Sequence, residues 1–221
     1  MTISLYVDED RRIKVSEIPS ECGTCHKNVA PTYLTGTHIL SSIGEGTSME
    51  LVFKCTNKDC KGLIIGYYTD KDDPNGHYHL KKIAPISPTD EFFNDEIAEV
   101  SENFVHIYNQ AFHAEQTNLD LISGIGYRKA LEFLVKDYLI YLNPDEEQKI
   151  LEKQLNPCIN MLDNHNIKEI ARRAAWLGND EAHYMRKWED KDISDLKKLI
   201  EVTVYFIAMD VSAKKYLEEM K

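Results

Sequence analysis

The sequence predicts an α+β protein: a small β-rich unit over residues 1–86, followed by an all-α bundle of about five helices over residues 87–221. Two observations carry this. Apolar residues recur with period two up to about residue 83 and with period 3.6 beyond residue 88. Between the two regimes, Ala84-Pro85-Ile86-Ser87-Pro88 reads as an extended segment with no helix potential, because proline lacks a backbone donor and biases the residue before it away from the α region.

In the first part, residues 3–7, 33–40, 49–53, 63–69 and 78–83 are short runs rich in β-branched and aromatic residues, separated by Gly, Pro, Asn and Asp turns. The turn Asp73-Pro74-Asn75-Gly76 joins the last two. His77 and His79 then alternate onto one face, read as a solvated hairpin face without a partner acid nearby in sequence.

Four of the five cysteines fall in this part, as Cys22-x2-Cys25 and Cys55-x4-Cys60, with 29 residues between the pairs. Short-spaced pairs on turns aim two thiolates each at one ion. In a reducing compartment they are read as a metal site in preference to disulfides. The expectation is a structural Zn2+ held by Cys22, Cys25, Cys55 and Cys60 in a zinc ribbon. Four thiolates close the coordination sphere, which argues against a catalytic zinc. His26, His77 and His79 are spare ligands, and Cys158 reads as a small buried residue.

In the second part, a helix over about 89–115 places Phe93, Ile97, Val100, Phe104, Tyr108 and Ala111 on one face. A second, over about 119–142, buries Tyr127, Leu131, Leu134, Val135, Tyr138 and Leu142 and stops at Asn143-Pro144. Gly124 and Gly126 in it permit close approach of another helix. Arg128 and Glu132 are spaced for an i,i+4 ion pair. Two short helices follow, over 145–155 and 157–164. Ile167, Ile170, Ala171, Ala174 and Leu177 then mark a helix ending near Leu177.

At that point Gly178 is expected to supply a left-handed stop, and Asn179 or Asp180 to cap a following helix. His183 would fall in the first turn of that helix, where the macrodipole disfavours imidazolium. A final helix, capped by Asp192 or Ser194, runs to about Met220. Apolar residues on two of its faces predict the central or dimer-forming helix.

With 221 residues and 43% hydrophobic content, the chain can bury a substantial core. Its longest apolar stretches, such as 202–209, are far shorter than the ~20 residues of a membrane span, and no leader pattern is evident, so the expectation is a cytoplasmic protein with no membrane. The net charge is −11. Up to Pro88 there are 10 basic and 11 acidic side chains, leaving 16 and 26 beyond it. Such a surface repels phosphate backbones at long range, so nucleic-acid contact would need a local basic patch. There is no phosphate-binding Gly-rich loop, no Gly-x-Ser-x-Gly and no His-Glu-x-x-His.

The stretches GYRKALEFLVK at residues 126–136 and LGNDEAH at 177–183 resemble the domain of unknown function 4145 family, which carries an Arg-Ala-Leu-Glu helix followed by a Gly-Asn-x-x-Ala-His corner. That family is similar to the HEPN superfamily of helical bundles, many of them metal-independent endoribonucleases using an Arg-x(4 to 6)-His pair. The pattern departs here, since the nearest arginine before His183, Arg173, lies several residues too far away. The resemblance implies a HEPN-like module in a bacterial or phage defence or restriction setting, with a homodimer through the bundle and a protein or RNA partner. The favoured reading is a non-catalytic interaction module. The competing one is a rearranged ribonuclease using His183, Arg173 and Arg128, with imidazole as base and an arginine stabilising the phosphorane.

Overall fold

The computed structural model describes residues 3–7, 11–39, 47–71, 73–180, 187–188 and 190–221. The chain divides into two compact units, Met1–Ser87 and Pro88–Lys221. The class is α+β, with two small antiparallel sheets in the first unit and helices in the second.

In the first unit, β1 (Ile3–Val7) pairs with β2 (Arg11–Val15), and β3 (Thr32–Ile39), β4 (Ser48–Lys54), β5 (Leu63–Thr69) and β6 (His79–Ala84) form a four-stranded meander in that order. β2 departs from expectation, because RRIKV reads as charged. Its alternation nonetheless buries Ile13 and Val15 and leaves the three basic residues in solvent. β4 and β5 follow the period-two rule, burying Met49, Leu51 and Phe53 from one and Ile64 and Tyr68 from the other. These residues, with Val7, Val15 and Tyr78, make a small core into which Cys22 and Cys55 are also packed.

The second unit contains seven α-helices among the described residues, not about five: α1 (Asp95–Val100), α2 (Glu102–Gln116), α3 (Asp120–Leu142), α4 (Glu147–Leu151), α5 (Leu155–Met161), α6 (His165–Asp180) and α7 (Ile193–Glu219). The expected first helix is split at Ser101. Its backbone leaves the helical region, and its hydroxyl accepts from the Phe104 N–H at 3.1 Å while donating to the Asp137 carboxylate. Ser101 is therefore the N-cap of α2. The break keeps one apolar face continuous: Phe93 meets Phe104 and Tyr108 edge-on at 4.9 and 5.0 Å, and Tyr108 meets Tyr127 of α3 at 4.9 Å.

Burial holds the Asp137 carboxyl above the usual carboxylate range, the Ser101 hydrogen bond opposing it only in part. A folded-state pKa above the unfolded one means that the stabilising contribution is present at low pH and lost as pH rises through the folded value. Asp137→Asn keeps an oxygen for the Ser101 hydroxyl and removes that charge. The variant should match wild type in melting temperature at about pH 3 and exceed it at pH 7.5, and a gap that fails to grow with pH contradicts the assignment.

α3, and not the last helix, is the centre of the bundle, packing against every other helix of the unit. Close approach on one side is set by Gly126, where a Cβ would stand 2.8 Å from the Ala111 Cβ of α2. α7 starts with a reciprocal capping box: the Asp192 carboxylate accepts from the Ser194 and Asp195 N–H groups, and Asp195 accepts from the Asp192 N–H. It buries one face through Leu196, Ile200, Val204, Ile207 and Val211. The second apolar stripe expected, Val202, Phe206, Met209 and Ala213, follows it only in part: Phe206 packs against the core, while Val202, Met209 and Ala213 are exposed.

Candidate metal centre

The two cysteine pairs sit on turns of matched construction. In the first, the His26 N–H donates to the Cys22 carbonyl at 2.8 Å, the Cys22 N–H donates to the Lys27 carbonyl at 3.1 Å, and His26, just after Cys25, is left-handed with φ 51°. In the second, the Lys61 N–H donates to the Asn57 carbonyl at 3.0 Å, and Lys61, just after Cys60, is left-handed with φ 53°. This turn is built on Asn57, so Cys55 lies before it at the end of β4, its N–H donating to the Gly62 carbonyl at 2.8 Å. That is why the second spacing is x4 where the first is x2.

The turns bring all four sulfurs within 4.8 Å of one another, with Cys22–Cys60 and Cys25–Cys55 both at 3.9 Å. Four sulfurs around a metal at the usual bond length of about 2.3 Å stand about 3.8 Å apart in a tetrahedron. The observed spacing fits. All five cysteines are free thiols. The Gly62 N–H points at the Cys60 sulfur (3.4 Å) and the Asn57 amide N–H at the Cys25 sulfur (3.6 Å), donors that favour thiolate.

The four thiols are not electrostatically alike. The Asn57 side chain, with the Lys27 backbone N–H, lowers Cys25 to about 6, while burial pushes Cys55 up to about 12. Four thiolates can share one partly buried cluster only around a cation, and the donor set suits a soft or borderline one.

The histidines do other work. His26 Nε2 lies 2.6 Å from the Ser87 carbonyl oxygen. The expectation that His77 and His79 lack a nearby acid is corrected: Asp73, in the preceding turn, lies 2.8 Å from His79 Nε2 and 3.8 Å from His77 Nδ1. The His79 hydrogen bond is the first of the interactions holding the Asp73 carboxyl below its ordinary value. Cys158 is fully buried in the helical core, its thiol 3.7 Å from the Ile150 carbonyl and raised by burial, which suits a packed residue and not a nucleophile.

The second constellation is rearranged. α6 does not stop at Leu177 but continues through Gly178, Asn179 and Asp180, and Gly178 is helical, not left-handed. Its missing side chain serves packing. A Cβ there would stand 2.5 Å from the Arg128 Cβ and 3.3 Å from its Cα, so glycine lets α6 lie directly on α3. Asn179, expected as a cap, instead accepts from Arg128 Nε at 2.5 Å. Arg128 also lies 3.8 Å from Glu132, the expected i,i+4 partner, which Lys136 approaches at 3.0 Å. Arg173 donates to the Glu169 carbonyl at 2.8 Å and to its carboxylate at 2.9 Å. His183 lies outside the described residues. Five positions apart on α6, Arg173 and Gly178 point about 140° away from each other, so Arg173 and the Arg128 packed on Gly178 occupy different faces of the helix.

Comparison of the chain with protein-family models, with curated proteins and with solved structures found no match.

Proposed function

We propose that this chain is a non-catalytic interaction protein: a zinc ribbon closed by a structural Zn2+ on Cys22, Cys25, Cys55 and Cys60, followed by a HEPN-like helical unit that engages a partner. The observation behind it is the convergence of the four sulfurs within 4.8 Å of one another, two of the pairs at 3.9 Å. A site closed by four thiolates has no position for a reactive water, so its contribution is to fold and present the ribbon. The cytosol, where thiols stay reduced, is the matching compartment.

In the helical unit, the engagement of Arg173 with Glu169 and of Arg128 with Asn179 favours binding over a metal-independent ribonuclease. Exposed Tyr205, Met209, Tyr216 and Leu217 along α7 support a homodimer through the bundle. The likeness of residues 126–136 and 177–183 to the domain of unknown function 4145 family supports a nucleic-acid-related defence or restriction setting.

Metal analysis of protein purified without chelator should return one zinc per chain, in a colourless preparation. Iron with a thiolate charge-transfer colour would reassign the ion, and no metal would end the ribbon reading. Incubated with structured and unstructured RNA, the wild type should leave the substrate intact. Cleavage that disappears in His183→Ala, with the fold unchanged, would establish the enzyme instead.

A further inference from the structure

Both tryptophans of the chain border one groove. A recess of about 460 Å³ lies between α6 and α7, within the ~300–1,000 Å³ of ligand pockets. Trp176 projects into it from α6, and Trp188 lines it from the segment after that helix, the two being 43% and 45% exposed. The position of Trp188 is built. Asp180, buried at the end of α6, accepts from the Lys187 N–H at 2.8 Å and from the Trp188 N–H at 2.9 Å, and so holds both residues at the end of the helix. Leu177 and Leu199 supply apolar lining.

The charge around the groove opposes that of the unit. Beyond Pro88 the chain carries 16 basic and 26 acidic side chains, yet among the described residues the groove lining holds Arg173, Lys191 and Lys198 with one carboxylate, Asp195, while Arg173 is itself paired with Glu169. Asp195 is an acceptor in the capping box of α7. Arg173 comes from the α6 wall and Lys198 from the α7 wall, so each wall of the groove carries a cation.

We propose that this groove binds a short stretch of single-stranded nucleic acid, a base stacking on Trp176 or Trp188 and a flanking phosphate meeting Lys198. Exposed aromatic faces beside cations are the chemistry that holds unpaired bases, because every base offers a π face and every linkage a charge. A duplex keeps its bases stacked internally and offers these indoles nothing. The inference rests on reading the helical unit as an interaction module and names its partner class; it is independent of the metal.

The test uses the full-length protein with its metal content unaltered. Because the two tryptophans are the only ones in the chain, indole fluorescence reports on the groove alone. Titration with a twelve-nucleotide uridine oligomer should quench it saturably, whereas a duplex of the same length should not. Trp176→Ala should weaken binding about tenfold or more, and Trp176→Phe should retain most of it, stacking being kept. Lys198→Gln should lower the slope of log affinity against log salt by about 0.7 for each phosphate that the variant no longer neutralises. Circular dichroism establishes that each variant is folded. No quenching by the oligomer, equal quenching by duplex, or full affinity in folded Trp176→Ala would each overturn the proposal. Saturable quenching by an acidic tyrosine-containing peptide but not by the oligomer would overturn it in favour of a protein partner, leaving the interaction-module reading intact. If the oligomer fails and the peptide fails too, that reading of the helical unit falls with it.

Discussion

Replacing Cys55 with serine should unfold the N-terminal unit and leave the helical unit standing. The first unit gathers a small core in which Cys22 and Cys55 are themselves buried members, so the ion proposed there sits within the packed apolar interior. Structural zinc in small domains contributes an apparent ~10–16 kcal/mol near neutral pH, and most of that is folding free energy because the unfolded chain has no preformed site. No other single change here approaches it. Serine lacks the thiolate, and its hydroxyl would lie where the cysteine is only 2% exposed.

The expected result is loss of bound metal, collapse of β-unit amide dispersion in NMR spectra, and a retained helical signal at 222 nm, since the described helices all lie beyond Ser87. A strong chelator should reproduce the effect on wild type. Acid should do so as well, because protons compete with the ion for thiolates. A Cys55→Ser protein that keeps both its metal and its N-terminal spectrum would remove Cys55 from the ligand set.

Gly178→Ala should destabilise the helical unit by about 1–3 kcal/mol through overpacking, although helix propensity alone would credit alanine with about 1 kcal/mol. The sign is decided by geometry. The added methyl would stand 2.5 Å from the Arg128 Cβ, 2.9 Å from its Cγ and 3.3 Å from its Cα, so α3 and α6 would have to separate. Separation would also lengthen the Arg128–Asn179 hydrogen bond. A double-mutant cycle locates the cause. In an Arg128→Ala background the Cβ remains and little relief is expected, whereas in an Arg128→Gly background the Cβ is gone and the alanine should be accommodated. Urea denaturation of the single and double variants reads this directly. An equal or higher stability of Gly178→Ala would show that the helices do not touch there.

Much of the architecture is legible from local signals. The strands β4 and β5 follow a period-two alternation that needs no knowledge of the partner strand, and the start of α7 is written in Asp192 and Asp195, three residues apart. The cysteine pairs likewise carry their own spacing, and the structure adds that the two turns converge until the sulfurs lie within 4.8 Å of one another.

What the sequence could not decide were the features set by residues far apart in the chain. Glycine is used to stop a helix and to let two helices touch, and both uses look the same in a string. Only Arg128, fifty residues upstream of Gly178, distinguishes them. Asn179 reads as a cap for the same reason, its true partner being a guanidinium on another helix. Ser101 breaks the first long helix because Asp137 of α3 is there to accept its hydroxyl. Of the second apolar stripe of α7, Phe206 reaches the core, while Val202 and Met209 stay in solvent because no other helix among the described residues of the unit covers them. The two tryptophans, twelve positions apart, share a groove because the buried Asp180 carboxylate holds the Trp188 N–H at the end of α6. By itself the sequence determined the elements that neighbouring residues specify, through periodicity, capping and ligand spacing. Tertiary structure alone decided which helix faces meet, because close packing depends on the shape of both partners and a linear sequence presents only one at a time.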